Sequence, residues 1–170
     1  MKKIFIATAL IIASVTAFAQ TQYEISRDKN GSKVLKGLIS RDLLETDTAF
    51  QWYFPNKNAY SPNADAVSAI KKNSDSIQFV VFMGTWCEDS HSVVPKFFGL
   101  LDAAGFSKDR VTLIGVDRNK RTLSHLAEAL NVVNVPTIIT MKNGVEIGRV
   151  VEYGKSGMFD KDLAEIINAH

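Results

Sequence analysis

The chain has 170 residues, of which 46% are hydrophobic and 22% are charged. This balance is typical of a folded globular protein and excludes disordered and fibrous classes. Lys and Arg number 20 against 18 Asp and Glu, and Lys2 and Lys3 supply the whole excess. We therefore expect no basic surface for nucleic acid and no nucleic-acid partner. The single cysteine, Cys87, excludes a scaffold of internal disulfides.

Residues 1–19 have the pattern of an export signal. Two lysines precede an apolar run over residues 4–15, and Ala17 and Ala19 place small residues before a cleavage point. The run is shorter than the ~20 residues that a membrane-spanning helix needs, so an uncleaved anchor is the less favoured alternative. We expect a cleaved signal and an exported protein, periplasmic or extracellular, with no stable membrane anchor.

Residues 20–76 are polar and rich in turn signals, and we predict that they form a mostly helical extension packing on the domain that follows. Ser40 is a suitable N-cap for a helix over residues 41–50. A second helix is predicted to begin near Asn63. For the aromatic run over residues 52–54, core packing is favoured over ligand binding.

Residues 77–170 alternate between strand and helix patterns. Apolar runs rich in β-branched and aromatic residues predict strands, apolar residues at helical spacing predict helices, and Pro95 predicts a kink in the first helix. The order predicts an α/β fold with a mixed central sheet and helices on both faces. The strands are predicted over residues 77–84, 111–116, 136–141 and 145–151, and the helices over residues 88–104, 122–130 and 159–167.

The candidate chemistry lies where the first of these strands passes into a helix. Trp86 and Cys87 stand at this junction, so the thiol meets unpaired backbone N–H groups and the positive end of the helix dipole. Both favour the thiolate, which is the form of cysteine that attacks disulfides. A lone cysteine is more often a small buried apolar residue, but this position favours a reactive thiol.

Three titratable neighbours modify that expectation. Glu88 and Asp89 stabilise the first turn of the helix but repel a nearby thiolate. His91 lies one helical turn after Cys87, where a protonated ring would offset the acids and a neutral ring could carry a proton. The alternative is a solvated histidine without a role. We expect a modestly reactive thiol.

Four motifs of this chain occur together in one known superfamily. They are the strand FVVFMG, Trp86-Cys87-x-x-Ser90, Val135-Pro136-Thr137 before a strand, and Lys142-Asn143-Gly144. Through them, residues 75–170 resemble the thioredoxin superfamily. The resemblance implies a thioredoxin-like fold, with Cys87 as the attacking cysteine and Trp86 as an aromatic wall beside it. It also implies a cis Pro136 against Cys87, with the backbone of Val135 pairing with a substrate peptide like an added strand.

Three positions depart from the superfamily pattern. Ser90 stands where a dithiol member has its resolving cysteine, Val81 replaces the usual buried acid, and Leu113 replaces a lysine that often faces that acid. Without a second thiol, the mixed disulfide on Cys87 needs an outside thiol to resolve it: another cysteine of the substrate, a small thiol or a partner protein. Ser90 could hydrogen-bond the sulfur or satisfy backbone donors instead.

Two functions from different classes follow. The first is a monothiol thiol-disulfide exchange protein of the cell envelope, of oxidoreductase or isomerase type, whose partners are proteins with disulfides or thiols. The catalytic residues would be Cys87 and Ser90, and the substrate-binding residues would be Trp86, Val135 and Pro136. The alternative is a non-catalytic binding module that keeps the same surface for protein recognition.

We expect neither a metal site nor a cofactor. Cys87 and His91 have i, i+4 spacing, but the other two histidines, His125 and His170, form no second pair for a four-ligand zinc site. The glycines occur at the wrong spacing for a phosphate-binding loop.

Overall fold

The computed structural model describes residues 22–170, so the predicted export signal lies outside the described residues. The described part is a mixed α/β structure built on one six-stranded sheet. The strands are β1 (Tyr23–Arg27), β2 (Lys33–Ile39), β3 (Ile77–Met83), β4 (Val111–Gly115), β5 (Thr137–Lys142) and β6 (Val145–Val151). The helices are α1 (Arg41–Thr46), α2 (Tyr53–Asn58), α3 (Ala64–Lys72), α4 (Glu88–Ala104), α5 (Leu126–Ala129) and α6 (Phe159–Asn168).

The sheet has the order β1-β2-β4-β3-β5-β6, and it confirms the predicted mixed sheet. β3 runs parallel to β4, and the other neighbouring strands are antiparallel. β3 lies inside the sheet because its side chains are apolar in both directions. Phe79 and Val81 point into the larger apolar cluster, and Phe82 points into a smaller one on the opposite face. Both faces of the central strand are therefore covered.

The strongest sequence patterns are confirmed within one or two residues. The strands predicted from residue 77 onward correspond to β3, β4, β5 and β6, and the long helix is α4, which continues as one element through Pro95. The helix predicted over residues 122–130 differs from the structure. Positive φ angles at Ser124 (58°) and His125 (54°) break it into a 3-10 turn followed by the short α5.

The N-terminal segment, residues 22–60, contributes strands as well as helices. β1 and β2 form an antiparallel hairpin, and β2 then pairs with β4, so the hairpin extends the sheet at that edge. The helical part agrees better with the prediction, since the Ser40 hydroxyl accepts a hydrogen bond from Leu43 N and caps α1. The helix predicted to continue to residue 50 ends at Thr46, because Asp47 is extended and caps a separate 3-10 turn.

Two glycines allow β2 to lie close against its neighbours. A Cβ atom on Gly37 would come within 2.4 Å of the Gln22 carbonyl oxygen, and one on Gly115 within 2.3 Å of the Leu35 carbonyl oxygen. Gly37 also has a φ angle of 121°, a backbone conformation that residues other than glycine rarely adopt. These positions therefore need glycine for the hairpin to join the sheet.

Among residues 22–170, no helix has the length and apolar character needed to cross a membrane.

Candidate functional site

Cys87 lies at the junction between β3 and α4, as the sequence predicts. It is the N-cap residue of α4, in an extended conformation, and its backbone N–H donates to the Gly84 carbonyl oxygen at 2.9 Å. The side chain is partly exposed and packs at the edge of the smaller apolar cluster. The sulfur therefore lies at the start of a 17-residue helix, on a residue that is only partly buried.

The Val135–Pro136 peptide lies directly against this sulfur. The peptide bond is cis, as the resemblance implies. The Cys87 Sγ lies 3.3 Å from the Val135 carbonyl oxygen, so the thiol donates a hydrogen bond to it. Cys87, Val135 and Pro136 are thus brought together although 48 residues separate the first two in the chain.

Trp86 forms a fixed aromatic wall beside Cys87. Its Nε1 donates to the Val116 carbonyl oxygen at 3.0 Å, and the Arg118 guanidinium lies over its ring, 4.8 Å from the centroid. Arg118 is in turn held by Asp28, at the turn of the β1–β2 hairpin, through an ion pair. The ring position is therefore set by β4 and by the N-terminal segment.

Ser90 is fully buried, and its hydroxyl is used by the backbone. Its Oγ accepts a hydrogen bond from Gly84 N at 3.1 Å. Ser90 therefore satisfies a backbone donor, which is the second of the two roles expected for it, the other being a hydrogen bond to the Cys87 sulfur. It stabilises the turn that carries Cys87.

His91 is packed rather than freely solvated. Its ring stacks on Trp52 with centroids 4.1 Å apart and an interplanar angle of 15°. Its Nε2–H donates to the Thr85 carbonyl oxygen at 2.9 Å. Burial lowers the pKa of His91, against smaller opposing effects of the Thr85 carbonyl and Glu88. The ring is therefore neutral at pH 7 and does not offset the charges of the acids near Cys87.

Trp52 accordingly combines core packing with a contact at the site. It packs against the larger apolar cluster, as favoured for the aromatic run, and it also covers one face of His91. Tyr53 in the same run is fully buried, whereas Phe54 is exposed. The sequence offered no signal that would pair Trp52 with His91, because these residues are 39 positions apart.

Tyr153 is a site residue that sequence reasoning missed. It follows Glu152, whose backbone N–H donates to the Pro136 carbonyl oxygen at 2.7 Å, so this loop lies next to the cis peptide. Burial raises the pKa of Tyr153, a hydrogen bond with Ser92 opposes this, and the nearby groups Asp89 and Cys87 raise it further. An aromatic residue two positions after a strand, followed by a glycine, was the available signal.

The family model for thioredoxin matches residues 62–167. This range includes the turn with Cys87, the cis Pro136 and most of the sheet. The chain belongs to the thioredoxin family.

Curated relatives agree with this assignment. The chain is 33% identical to a thioredoxin of Echinococcus granulosus over 108 residues, which cover 64% of this chain and 90% of that protein. It is 31% identical to a thioredoxin of Chlamydia pneumoniae over 98 residues, covering 57% and 85% respectively. These relatives support a thioredoxin-like redox domain.

Solved structures show the fold alone, because their sequences are distant. A protein of unknown function from Pseudomonas aeruginosa aligns with a TM-score of 0.54 at 12% identity, covering 75% of this chain and 90% of that one. An HIV epitope-scaffold protein aligns with a TM-score of 0.51, also at 12% identity, covering 78% and 99%.

Two of the three departures from the thioredoxin pattern are neighbours inside the sheet. Val81 on β3 and Leu113 on β4 are paired in register, and they are 0% and 4% exposed. An apolar pair therefore occupies the two positions where the family pattern places an acid and a lysine. These two side chains have no proton to exchange with a thiol.

The described residues contain no group of three or more His, Cys, Asp or Glu side chains that could hold a metal ion.

Proposed function

We propose that this thioredoxin-family protein is a single-thiol thiol-disulfide exchange protein of the cell envelope. One observation carries the proposal: Cys87 is partly exposed, and its sulfur lies 3.3 Å from the carbonyl oxygen of Val135, next to the cis Pro136. This places a nucleophile at the start of a helix and beside backbone groups that can pair with an extended peptide. Both requirements for attack on a protein disulfide are met within one surface.

The proposed reaction begins with the Cys87 thiolate. It attacks one sulfur of a substrate disulfide, a new bond forms between Cys87 and that sulfur, and the substrate S–S bond breaks. The electron pair of the broken bond goes to the second substrate sulfur, which takes a proton from water. The N–H groups at the start of α4 stabilise the attacking anion.

Release of the substrate requires a thiol from outside the protein. A second cysteine of the same substrate gives isomerisation with no net electron transfer. Two molecules of a small thiol give reduction, because each contributes one electron and they leave as their own disulfide. In both cases the incoming sulfur bonds to the substrate sulfur and Cys87 leaves as the thiolate.

The other site residues have supporting roles in this proposal. Trp86 forms the wall beside the sulfur, and the Val135–Pro136 backbone is the platform for the substrate chain. Ser90 holds the turn through its bond to Gly84 N rather than resolving the mixed disulfide.

The setting in the cell envelope is supported by the sequence of residues 1–19, with basic, apolar and small-residue regions in the order of an export signal. Proteins with disulfides or free thiols are the proposed partners, and a small thiol is one candidate resolving agent. Neither a cofactor nor nucleic acid is part of the proposal.

A second candidate is a non-catalytic binding module. The apolar pair Val81 and Leu113 favours it, because the positions that would assist proton transfer carry no ionisable group. In that case the surface around Val135 recognises a partner, and Cys87 either is incidental or anchors that partner covalently.

The deciding experiment measures refolding of a scrambled disulfide protein with glutathione present. Wild type is expected to accelerate recovery of native disulfides, and Cys87→Ser is expected to lose the acceleration entirely. His125→Ala is a matched control, since His125 is exposed and lies outside the site. Equal rates for wild type and Cys87→Ser would reject exchange and favour the binding module. Retention of one envelope protein on both variants would then identify the partner.

A further inference from the structure

The N-terminal segment contacts the turn that carries Cys87. The Thr85 hydroxyl donates to the Lys33 carbonyl oxygen at 2.8 Å and accepts from Leu35 N at 3.1 Å. Thr85 is only 3% exposed. A side chain two residues before the reactive cysteine therefore satisfies the backbone of β2, which belongs to the N-terminal segment.

The same residue is held from its other side through His91. The Thr85 carbonyl oxygen accepts a hydrogen bond from His91 Nε2–H at 2.9 Å. The histidine ring in turn stacks on the indole of Trp52, with the ring centroids 4.1 Å apart. Trp52 lies between the buried Phe50 and Tyr53, both packed in the larger apolar cluster. Its ring is thus held by its neighbours in this cluster as well as by the stack on His91.

We propose that Trp52 is a positioning residue for Cys87: by stacking on His91 it keeps the Nε2–H of that ring on the Thr85 carbonyl, and so holds the turn from Gly84 to Cys87 in its reactive arrangement. This inference rests on the proposed function of Cys87 as the attacking thiol.

The indole of Trp52 limits the rotational freedom of the His91 ring. A histidine on a helix surface rotates and binds water, and its hydrogen bond to a carbonyl then competes with solvent. A stacked indole covers one face, excludes water there and leaves a narrow range of ring orientations. The Thr85 carbonyl consequently keeps its donor, and the peptide units leading to Cys87 keep their orientation.

The groups around His91 determine how its pKa would change if the Trp52 indole were removed. Glu88, on the same helix, is the acid that affects its pKa, whereas Trp52 and the Thr85 carbonyl present neutral groups. Without the indole, water reaches the ring and its pKa rises towards the ordinary value of 6.5. A protonated ring near the start of α4 then favours the Cys87 thiolate at mildly acidic pH.

The test is the rate of Cys87 alkylation by iodoacetamide from pH 5 to pH 9, together with titration of the His91 ring protons by NMR. Trp52→Ala is expected to change the rate constant at pH 7.5 by about threefold or more. It should also add an inflection at the pH where His91 titrates. Phe54→Ala is the matched control, because Phe54 lies two residues later and is 46% exposed; it should match wild type.

A double-mutant cycle separates positioning from general loosening of the fold. In a His91→Ala background, Trp52→Ala should have no further effect on alkylation, because its action passes through the histidine. The proposal would be overturned if Trp52→Ala changed the alkylation rate equally in the wild-type and the His91→Ala proteins. A folded Trp52→Ala variant whose rate profile and His91 titration coincide with wild type would also overturn it.

Trp52→Leu decides the question if Trp52→Ala does not fold, since leucine fills volume without a flat ring. A wild-type alkylation profile for a folded Trp52→Leu would contradict the stacking role. The alkylation assay uses no disulfide substrate. If the alkylation results are as expected but the protein does not accelerate disulfide refolding, the positioning role of Trp52 stands and the proposed function is rejected.

Discussion

Cys87 has two sides that differ in how much of the thioredoxin pattern they keep. The groove side consists of Val135, Pro136 and the loop with Tyr153, and it places the Val135 carbonyl oxygen 3.3 Å from the sulfur. The core side consists of the buried Ser90 and, within the larger apolar cluster, the pair Val81 and Leu113, and none of these three side chains is ionisable. The backbone proposed to recognise a peptide is therefore separate from the positions whose side chains would resolve the mixed disulfide and protonate the leaving thiol.

The difference also locates the support of the site. The N-terminal segment helps to hold the turn that carries Cys87. Its β2 backbone is bonded to Thr85, and its Trp52 stacks on His91. A thioredoxin-like surface can thus be maintained by added chain while the internal chemistry changes.

The largest expected effect concerns the closed core side. Val81→Asp would bury an unpaired carboxyl, and we expect a loss of about 3 kcal/mol in the free energy of unfolding at pH 7.5. Burial raises the folded-state pKa of such a carboxyl above its unfolded value of about 3.9. The loss should therefore shrink as the pH falls from 7.5 towards 4, because the folded-state carboxyl becomes neutral at a higher pH than the unfolded one does.

Urea denaturation at both pH values checks this, with Val81→Asn as the control whose loss is independent of pH. Adding Leu113→Lys to Val81→Asp should recover part of the stability, because the two positions are register partners. A cost below about 1 kcal/mol with no pH dependence would mean that water reaches this position. The contrast between the two sides would then disappear.

A second thiol on the core side should convert the site to dithiol chemistry. Ser90→Cys places a cysteine at the position of the resolving thiol, so we expect insulin reduction by dithiothreitol to be at least about tenfold faster than with wild type. Stability should fall by about 1 kcal/mol, since the bond from Gly84 N to the hydroxyl is lost.

Ser92→Cys is the matched control, because it adds a thiol to the same helix away from the resolving position. If a folded Ser90→Cys were no faster than Ser92→Cys, the groove side would not support disulfide exchange.

The smallest expected effect is the pH dependence contributed by His91. Its folded-state pKa is lowered from 6.5 by burial, so the unfolded chain binds a proton at a higher pH than the folded protein does. The stability from neutral His91 is present above pH 6.5, decreases as the pH falls through that value, and levels off below the folded-state pKa. His91→Gln should remove this part of the slope in urea denaturation between pH 7.5 and pH 5. Equal slopes for the two proteins would show that the ring is solvated.

Sequence patterns predicted the parts of this site that depend on local order. The apolar run of β3, the polar start of α4 and the junction with Cys87 follow from residue periodicity, and the pairing with Pro136 follows from the family resemblance. The hairpin of β1 and β2 was missed because β1 is short and almost wholly exposed, with only two apolar residues. Lys36 and Gly37 also interrupt the strand pattern of β2.

The remaining contacts are long-range and depend on packing. Nothing in the residues around Trp52 indicates that its partner is His91, and an exposed-looking Ser90 turns out to be buried against Gly84 N. Tyr153 reaches the site because of a turn with a φ angle of 56° at Glu152. Such pairings are not encoded by spacing along the chain.

The amino-acid sequence by itself determined that a thiol stands at a strand-to-helix junction, in a chain with one cysteine and thioredoxin motifs. Hydrophobic periodicity and helix capping are local properties, so they can be read without coordinates. Only the tertiary structure decided which groups surround that thiol: the Val135 carbonyl on one side, the buried Ser90 hydroxyl bonded to the turn, and the N-terminal segment holding Thr85 and His91. These contacts depend on how the elements pack, because burial and hydrogen bonding between distant residues are set by the assembled core.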